Sequence, residues 1–267
     1  MTETHDIKRI LVCSAVGGVG RTTITVNLAA LLAKENLNVR VLDADLQFGD
    51  IAMAFDLHPT RTLKDAAERK DIENILFYTM NHESGVNVLP APDRPEYAEL
   101  ITTDFLISIS EKLQEETQFL LIETQAGLND LNIQLMETAD LILVVSTPGM
   151  AALKNSKLMI ETLELLGLKD KTHILINKFT AQTMISQKEI PELTSMEKAI
   201  YLPFTDKQID HSLDVGQPFV TTHPKAAFSK ELKKAASQFL NLNKKTKPKD
   251  KTGFFQSLRL KETGQGG

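Results

Sequence analysis

Ser14-Ala-Val-Gly-Gly-Val-Gly-Arg-Thr-Thr23 is the stretch that decides the fold class. A short apolar run, Arg9–Ser14, leads into it, and a helical pattern over Thr22–Glu35 leaves it. Strand, glycine turn and helix together make a phosphate cradle. Glycines let backbone N–H groups approach oxygens, and the helix N-terminus adds the positive end of its dipole. A Ser or Thr in the first helical turn can hold Mg²⁺, and Thr22 stands there.

The strict phosphate-loop pattern, G-x-x-x-x-G-K-[ST], is not met. Ala15 replaces its first glycine and Arg21 its lysine. A dinucleotide fingerprint, G-x-G-x-x-G, can be started at Gly18, but Thr23 stands where its third glycine belongs. Asp43 and Asp45 follow at about the distance where that fingerprint places a ribose-binding acid. A tight glycine turn without a ligand is the remaining reading of the loop alone.

Outward from the loop, short apolar runs alternate with helical patterns. The spacing predicts strands over Arg9–Ser14, Val39–Asp43, Gly85–Leu89, Phe119–Glu123, Leu141–Ser146, His173–Asn177 and Ala199–Leu202. Leu141-Ile-Leu-Val-Val145 has no polar face, as expected of a strand buried on both sides of a parallel sheet. Helices are expected over Thr22–Glu35, Thr62–Arg69, Thr103–Glu116, Asn129–Thr138, Met150–Leu166 and Asp206–Val215. A last one is expected over Lys225–Leu240, with Phe228, Leu232, Ala235, Ala236 and Phe239 on one face. Leu153, Leu158, Ile160, Leu163 and Leu166 are expected to share an apolar surface, and Met150, Met159 and Met184 to fill core gaps. The alternation predicts an α/β fold, doubly wound on a mainly parallel sheet. Residues 1–243 are expected to form one domain, followed by a basic tail, 244–267, that opens on a linker, Lys244–Lys251, with no apolar residues to pack.

Two further stretches narrow the loop's meaning. Val41-Leu-Asp-Ala-Asp-Leu-Gln-Phe-Gly-Asp50 follows the second strand, and Phe119-Leu-Leu-Ile-Glu-Thr-Gln-Ala-Gly127 ends another with an acid and then a glycine. With Gly-Gly-Val-Gly-Arg-Thr-Thr, this ordered set resembles the MinD/ParA family of deviant-Walker P-loop ATPases. Leu89-Pro-Ala-Pro92, Thr147-Pro148, Asn177-Lys178 and Leu202-Pro-Phe-Thr-Asp206 followed by Gly216-Gln-Pro218 are similar to its CpaE/TadZ branch, which is associated with Tad/Flp pilus assembly. The resemblance covers about residues 8–240. The receiver-like domain often fused ahead of that module is expected to be absent, since the glycine loop starts at residue 15.

The resemblance implies ATP or ADP with Mg²⁺ as the bound cofactor. Gly17, Gly18, Val19, Gly20 and Arg21 would wrap the phosphates. Thr22 would bind Mg²⁺, with Asp45 and Glu123 acting directly or through water, and Thr23 would reach the α-phosphate. Asp45 resembles the acid that positions the attacking water; Asp43 and Asp50 share its segment. Asn177 would read adenine, since an amide both donates and accepts, and the loop at Pro203 would close over the base. Three departures stand out. The family's signature lysine is Val16 here, Arg21 replaces the loop lysine, and Glu123 replaces an aspartate. A missing transition-state cation costs roughly 10³–10⁵ in rate in comparable phosphoryl transfers. A guanidinium fork is no substitute for a compact ammonium where geometry is tight. Hydrolysis is therefore expected to be weak or absent, with Asp45 and Arg21 as residual catalytic groups.

Charge and composition bear on partners. The chain carries a net charge of -5. Residues 244–267 hold seven basic and two acidic groups, so the tail is +5 and the body -10. The acidic body disfavours DNA, whose affinity for proteins comes from phosphate neutralisation. In the tail, Phe254, Phe255 and Leu258 are spaced as one helical face beside basic residues, which resembles MinD's membrane-targeting helix and points to an anionic membrane through residues 244–261. A flexible solubilising tail, or a peptide that docks on a partner, is the alternative. Lys154 and Lys157 read as a solvated helix face. Cys13 is the only cysteine, which excludes an intrachain disulfide or a thiolate cluster. The six histidines lack metal-ligand spacing and read as surface or loop residues. No signal peptide or membrane span is visible, so a cytoplasmic protein is expected, peripheral at most. Three functions follow: a homodimeric organiser of pilus or secretion machinery, an active ATPase switch for pole, flagellar or septum positioning, and a DNA segregation protein.

Overall fold

Leu141–Ser146 and Phe119–Thr124 are buried at every position, so neither strand has a solvent face. Such strands must lie inside a sheet covered on both sides. The computed structural model, which describes residues 8–180, 182–204 and 208–241, shows that arrangement. In chain order the elements are β1 (Arg9–Cys13), α1 (Arg21–Lys34), β2 (Val39–Ala44), α2 (Ile51–Ala54), α3 (Leu63–Arg69), β3 (Met80–Asn81), β4 (Val86–Leu89), α4 (Thr103–Glu115) and β5 (Phe119–Thr124). Then come α5 (Asp130–Thr138), β6 (Leu141–Ser146), α6 (Met150–Leu165), β7 (Thr172–Phe179), α7 (Ile190–Thr194), β8 (Ala199–Pro203), α8 (Gln208–Asp214), α9 (Phe219–Thr222) and α10 (Ala227–Asn241).

Eight strands form one sheet in the order β3-β4-β2-β5-β1-β6-β7-β8. All pairings are parallel except β3 with β4. Side chains alternate across the sheet. Ile10, Val12, Val39 and Val41 pack under α1, α2, α8, α9 and α10. Leu11, Cys13, Leu42 and Ala44 pack under α3, α4, α5, α6 and α7. The expected α/β, doubly wound, mainly parallel fold is therefore observed. From the central β1 the chain winds outward in both directions, which opens a crevice at the carboxyl ends of the strands.

The structure corrects several details. Met150 and Met184 are exposed rather than core-filling; Met159 alone of the three is buried. On α6, Leu153, Ile160 and Leu163 are buried, but Leu158 is exposed, as is Leu166 just beyond the helix. Leu158 lies five positions from Leu153, which at about 100° per residue turns it off the buried face. His173 is half-buried in β7 rather than on the surface. The antiparallel β3 and the short α2, α7 and α9 lack the length for a periodic signal. The tail, 244–267, lies outside the described residues. Among the described residues no helix is long and apolar enough to cross a membrane.

Candidate functional site

The loop from β1 into α1 is held from beneath and open above. Ser14 is buried and its hydroxyl donates to the Val16 carbonyl at 2.7 Å. Val16 packs partly buried against the core, and Val19 is buried, so two apolar pegs seat the turn. Gly17 and Gly18 are exposed, and nothing lies within 4 Å of where their Cβ atoms would be. Gly20 caps α1 at a φ of 95°, without a side-chain hydrogen bond to the helix N–H groups. Helix N-terminal donors without a side-chain cap are suited to an anion.

Acids converge below the loop because neighbouring strands end together. Asp43 of β2 and Glu123 of β5 are in register. The Thr22 hydroxyl lies 2.8 Å from both Asp50 Oδ1 and Glu123 Oε1. One hydroxyl hydrogen shared between two carboxylates binds each weakly, which favours a protonated carboxyl at one of them. The electrostatics agree: burial pushes Glu123 up to about 7. Burial, with Asp45 nearby, raises Asp50. Asp43 stands well above the usual carboxylate range because of burial and then the Glu123 charge, though it accepts N–H groups from Asp45 and Ile51, each at 3.2 Å.

Arg21 is the cation among these acids. Its Nη2 lies 3.2 Å from Asp45 Oδ2 and its Nε 3.9 Å from Glu123 Oε1. Asp45 Oδ1 accepts the Phe48 N–H at 3.3 Å. Phe48 itself is 75% exposed.

Hard oxygen donors in excess of positive charge suit a divalent cation, and Glu123 Oε2 is buried without a partner. Among the described residues no three His, Cys, Asp or Glu side chains form a metal-ligand cage. Mg²⁺ seldom uses one, keeping waters and substrate phosphates as ligands instead. The residues present thus fit nucleotide phosphate with Mg²⁺.

Asn177, at the end of β7, is 4% exposed. Its Nδ2 donates to the Val19 carbonyl at 2.9 Å and its Oδ1 accepts the Lys178 N–H at 2.9 Å. A Cβ on Gly20 would collide with this amide, so the loop and Asn177 fit only with glycine there. Thr23, Asn177, Lys178, Pro203 and Phe204 line a cleft of about 20 Å³. That is room for about one water, so an entering base would have to part these walls.

A family model described as "ParA: NUBPL iron-transfer P-loop NTPase" matches residues 6–240. The chain belongs to the ParA-type family of P-loop NTPases. An uncharacterized ATP-binding protein of Methanocaldococcus jannaschii is 25% identical over 94% of this chain and 95% of its own length. The septum site-determining protein MinD of Thermotoga maritima is 28% identical over 73% of this chain and 74% of its own. Among solved structures, MinD of Pyrococcus horikoshii complexed with Mg-ADP superposes with a TM-score of 0.79 at 21% identity, covering 90% of this chain and 99% of that one. That likeness is one of fold.

In this ParA-type chain the structure brings several of the candidate site residues into contact, with particular pairings. Thr22 touches Glu123 and Asp50, whereas Asp45 is tied to Arg21. Pro203 ends β8 beside Asn177. Three positioning residues escaped the sequence reading. Asn27 is buried in α1 and links the Thr23 carbonyl, at 2.8 Å, to the Val220 N–H, at 2.9 Å. Asn132 Nδ2 holds the carbonyls of Gln125 and Gly127 in the loop after β5. A Cβ on Gly49 would strike the Asp43 carboxyl. The available signal was a polar residue inside an apolar helical run, as in Ile24-Thr-Val-Asn-Leu28.

Proposed function

We propose that the protein is a nucleotide-binding positioning protein of the MinD/ParA type that binds ATP or ADP with Mg²⁺ and hydrolyses it slowly or not at all. The observation that carries this reading is the open glycine loop above Thr22, with Glu123, Asp50 and Arg21 grouped beneath it. Backbone N–H groups from Gly17 to Thr23 would hold the phosphates. Thr22 would hold Mg²⁺, with Glu123 and Asp50 steadying its waters. When bound, the ion supplies charge neutralisation to the phosphates. Asn177 would present its amide to the base.

Slow hydrolysis is supported by Val16, whose side chain packs on the core and carries no charge to a partner's phosphates. Asp45 points the same way: one of its oxygens faces Arg21 and the other a backbone N–H, so orienting a water competes with both. A homodimer across the nucleotide is part of the proposal, as in the family this chain resembles. Iron transfer, named in the family model's description, would call for accessible thiolates. The only cysteine, Cys13, is buried in β1, and burial pushes its thiol up to about 12.

As to the machine served, the relative named as a septum site-determining protein favours a septum-positioning role. The CpaE/TadZ-like motifs favour a pilus or secretion organiser at the cytoplasmic membrane face, and that remains the second reading. Calorimetry with ATP–Mg²⁺, followed by a turnover assay on the same sample, tests the proposal. Binding with little or no turnover is expected. Turnover equal to an active family member, and lost in Asp45→Ala, would overturn the claim of impaired hydrolysis.

A further inference from the structure

The nucleotide-binding reading treats Arg21 as a poor stand-in for lysine. Its surroundings say something more specific. The guanidinium is mostly buried, 14% exposed, and so is the Asp45 carboxylate, at 12%. Two of its three nitrogens are engaged with acids: Nη2 with Asp45 and, more distantly, Nε with Glu123. The third, Nη1, is buried and has no hydrogen-bond partner. A buried charged donor without an acceptor is costly. The position, first in α1 and directly after the glycine loop, is where a phosphate oxygen would supply that acceptor.

We propose that Arg21 is a bridge: Nη1 takes a nucleotide phosphate oxygen while Nη2 keeps Asp45, so that phosphate occupancy is transmitted to the segment from Asp45 to Asp50. This rests on the nucleotide-binding reading and gives Arg21 a positioning role within it. Geometry supports arginine over lysine. Arginine carries donors on separate nitrogens of a rigid plane, so one can face phosphate while another faces a carboxylate. Lysine has a single nitrogen, and when it sits on phosphate its hold on Asp45 weakens. Asp45 in turn fixes the exposed Phe48 through that residue's N–H. Beyond it, Asp50 meets Thr22, closing a ring of contacts from loop to switch and back. The ring makes the 45–50 segment a reporter of what the loop holds.

The chain has no tryptophan. Phe48→Trp in the full-length protein therefore gives one indole, on the segment in question and outside the binding residues. Emission and anisotropy are followed while ATP–Mg²⁺, ADP–Mg²⁺ or inorganic pyrophosphate is added, with calorimetry on the same samples. Each protein is compared at its own saturation. The expected result is a clear change of emission with rising anisotropy. With Arg21→Lys or Asp45→Asn added, the response should be at least about threefold smaller at saturation. Heat of binding without any change in the indole signal, or an undiminished response in both double variants, would overturn the bridge and leave the nucleotide reading standing. No heat with any of the three ligands would overturn the nucleotide reading, and the bridge with it.

Discussion

Glu123 shows how one methylene and full burial reset an acid. Its carboxyl is 2% exposed, shares the Thr22 hydroxyl with Asp50 and faces Asp43 across the strand pair. Burial raises it from 4.5 to about 7. The folded protein therefore binds a proton that the unfolded chain releases, and stability should fall as pH rises through that window. The loss is at most on the order of 3 kcal/mol for a shift of this size. Urea denaturation of metal-free, nucleotide-free protein at about pH 5 and about pH 8 should show it. Glu123→Gln should flatten the dependence, leaving the parts due to Asp43 and Asp50, which burial also raises, and the opposing part due to His82 and His173, which burial lowers. An unchanged slope in that variant would show that Glu123 is not the group responsible. Residue types around the loop were legible in the sequence: Thr22 meets Asp50, Asp45 meets Arg21, Asp43 pairs in register with Glu123, and Asn177 meets the Val19 carbonyl. Their pairings were not. Whether Asp45 or Asp50 meets Thr22 depends on how the chain turns between β2 and α2, and Gly49 sets that turn by leaving room for the Asp43 carboxyl.

Among elements, strands with no polar face announced themselves, and β5 and β6 form where an apolar run predicts a doubly covered strand. Short pieces such as β3 and α9 did not, because tertiary contacts rather than periodicity make them. The phosphate helix α1 shows the same limit. Its apolar residues were readable, but Asn27 acts at long range, joining Thr23 near the loop to Val220 of α9 far along the chain. This single amide ties the first βα unit to the C-terminal third. Asn27→Leu keeps the volume and removes both bonds, leaving a buried Val220 N–H and Thr23 carbonyl with less satisfaction. A loss of about 1–3 kcal/mol is expected, read as a lower urea midpoint with unchanged slope. A change within about 0.5 kcal/mol would mean that water or a shifted α9 replaces the link.

For the whole molecule, the net charge of -5 averages two unlike parts, a -10 body and a +5 stretch from Lys244 onward. A formal charge of -10 over residues 1–243 is expected to disfavour DNA, whose affinity for proteins comes from phosphate neutralisation. The basic stretch can act separately, since roughly 1 kcal/mol per basic residue accrues at an anionic leaflet. Those residues lie outside the described ones, so the case rests on sequence: Phe254, Phe255 and Leu258 supply apolar area next to the lysines. Apolar insertion and charge attraction respond differently to salt, because screening weakens only the second. Vesicles containing anionic lipid should pellet the full-length chain and not a chain truncated after Asn243. Pelleting should fall steeply as salt rises, and neutral vesicles should capture little. If both chains pellet alike, membrane contact through the tail is excluded, and any membrane contact must come from the acidic body.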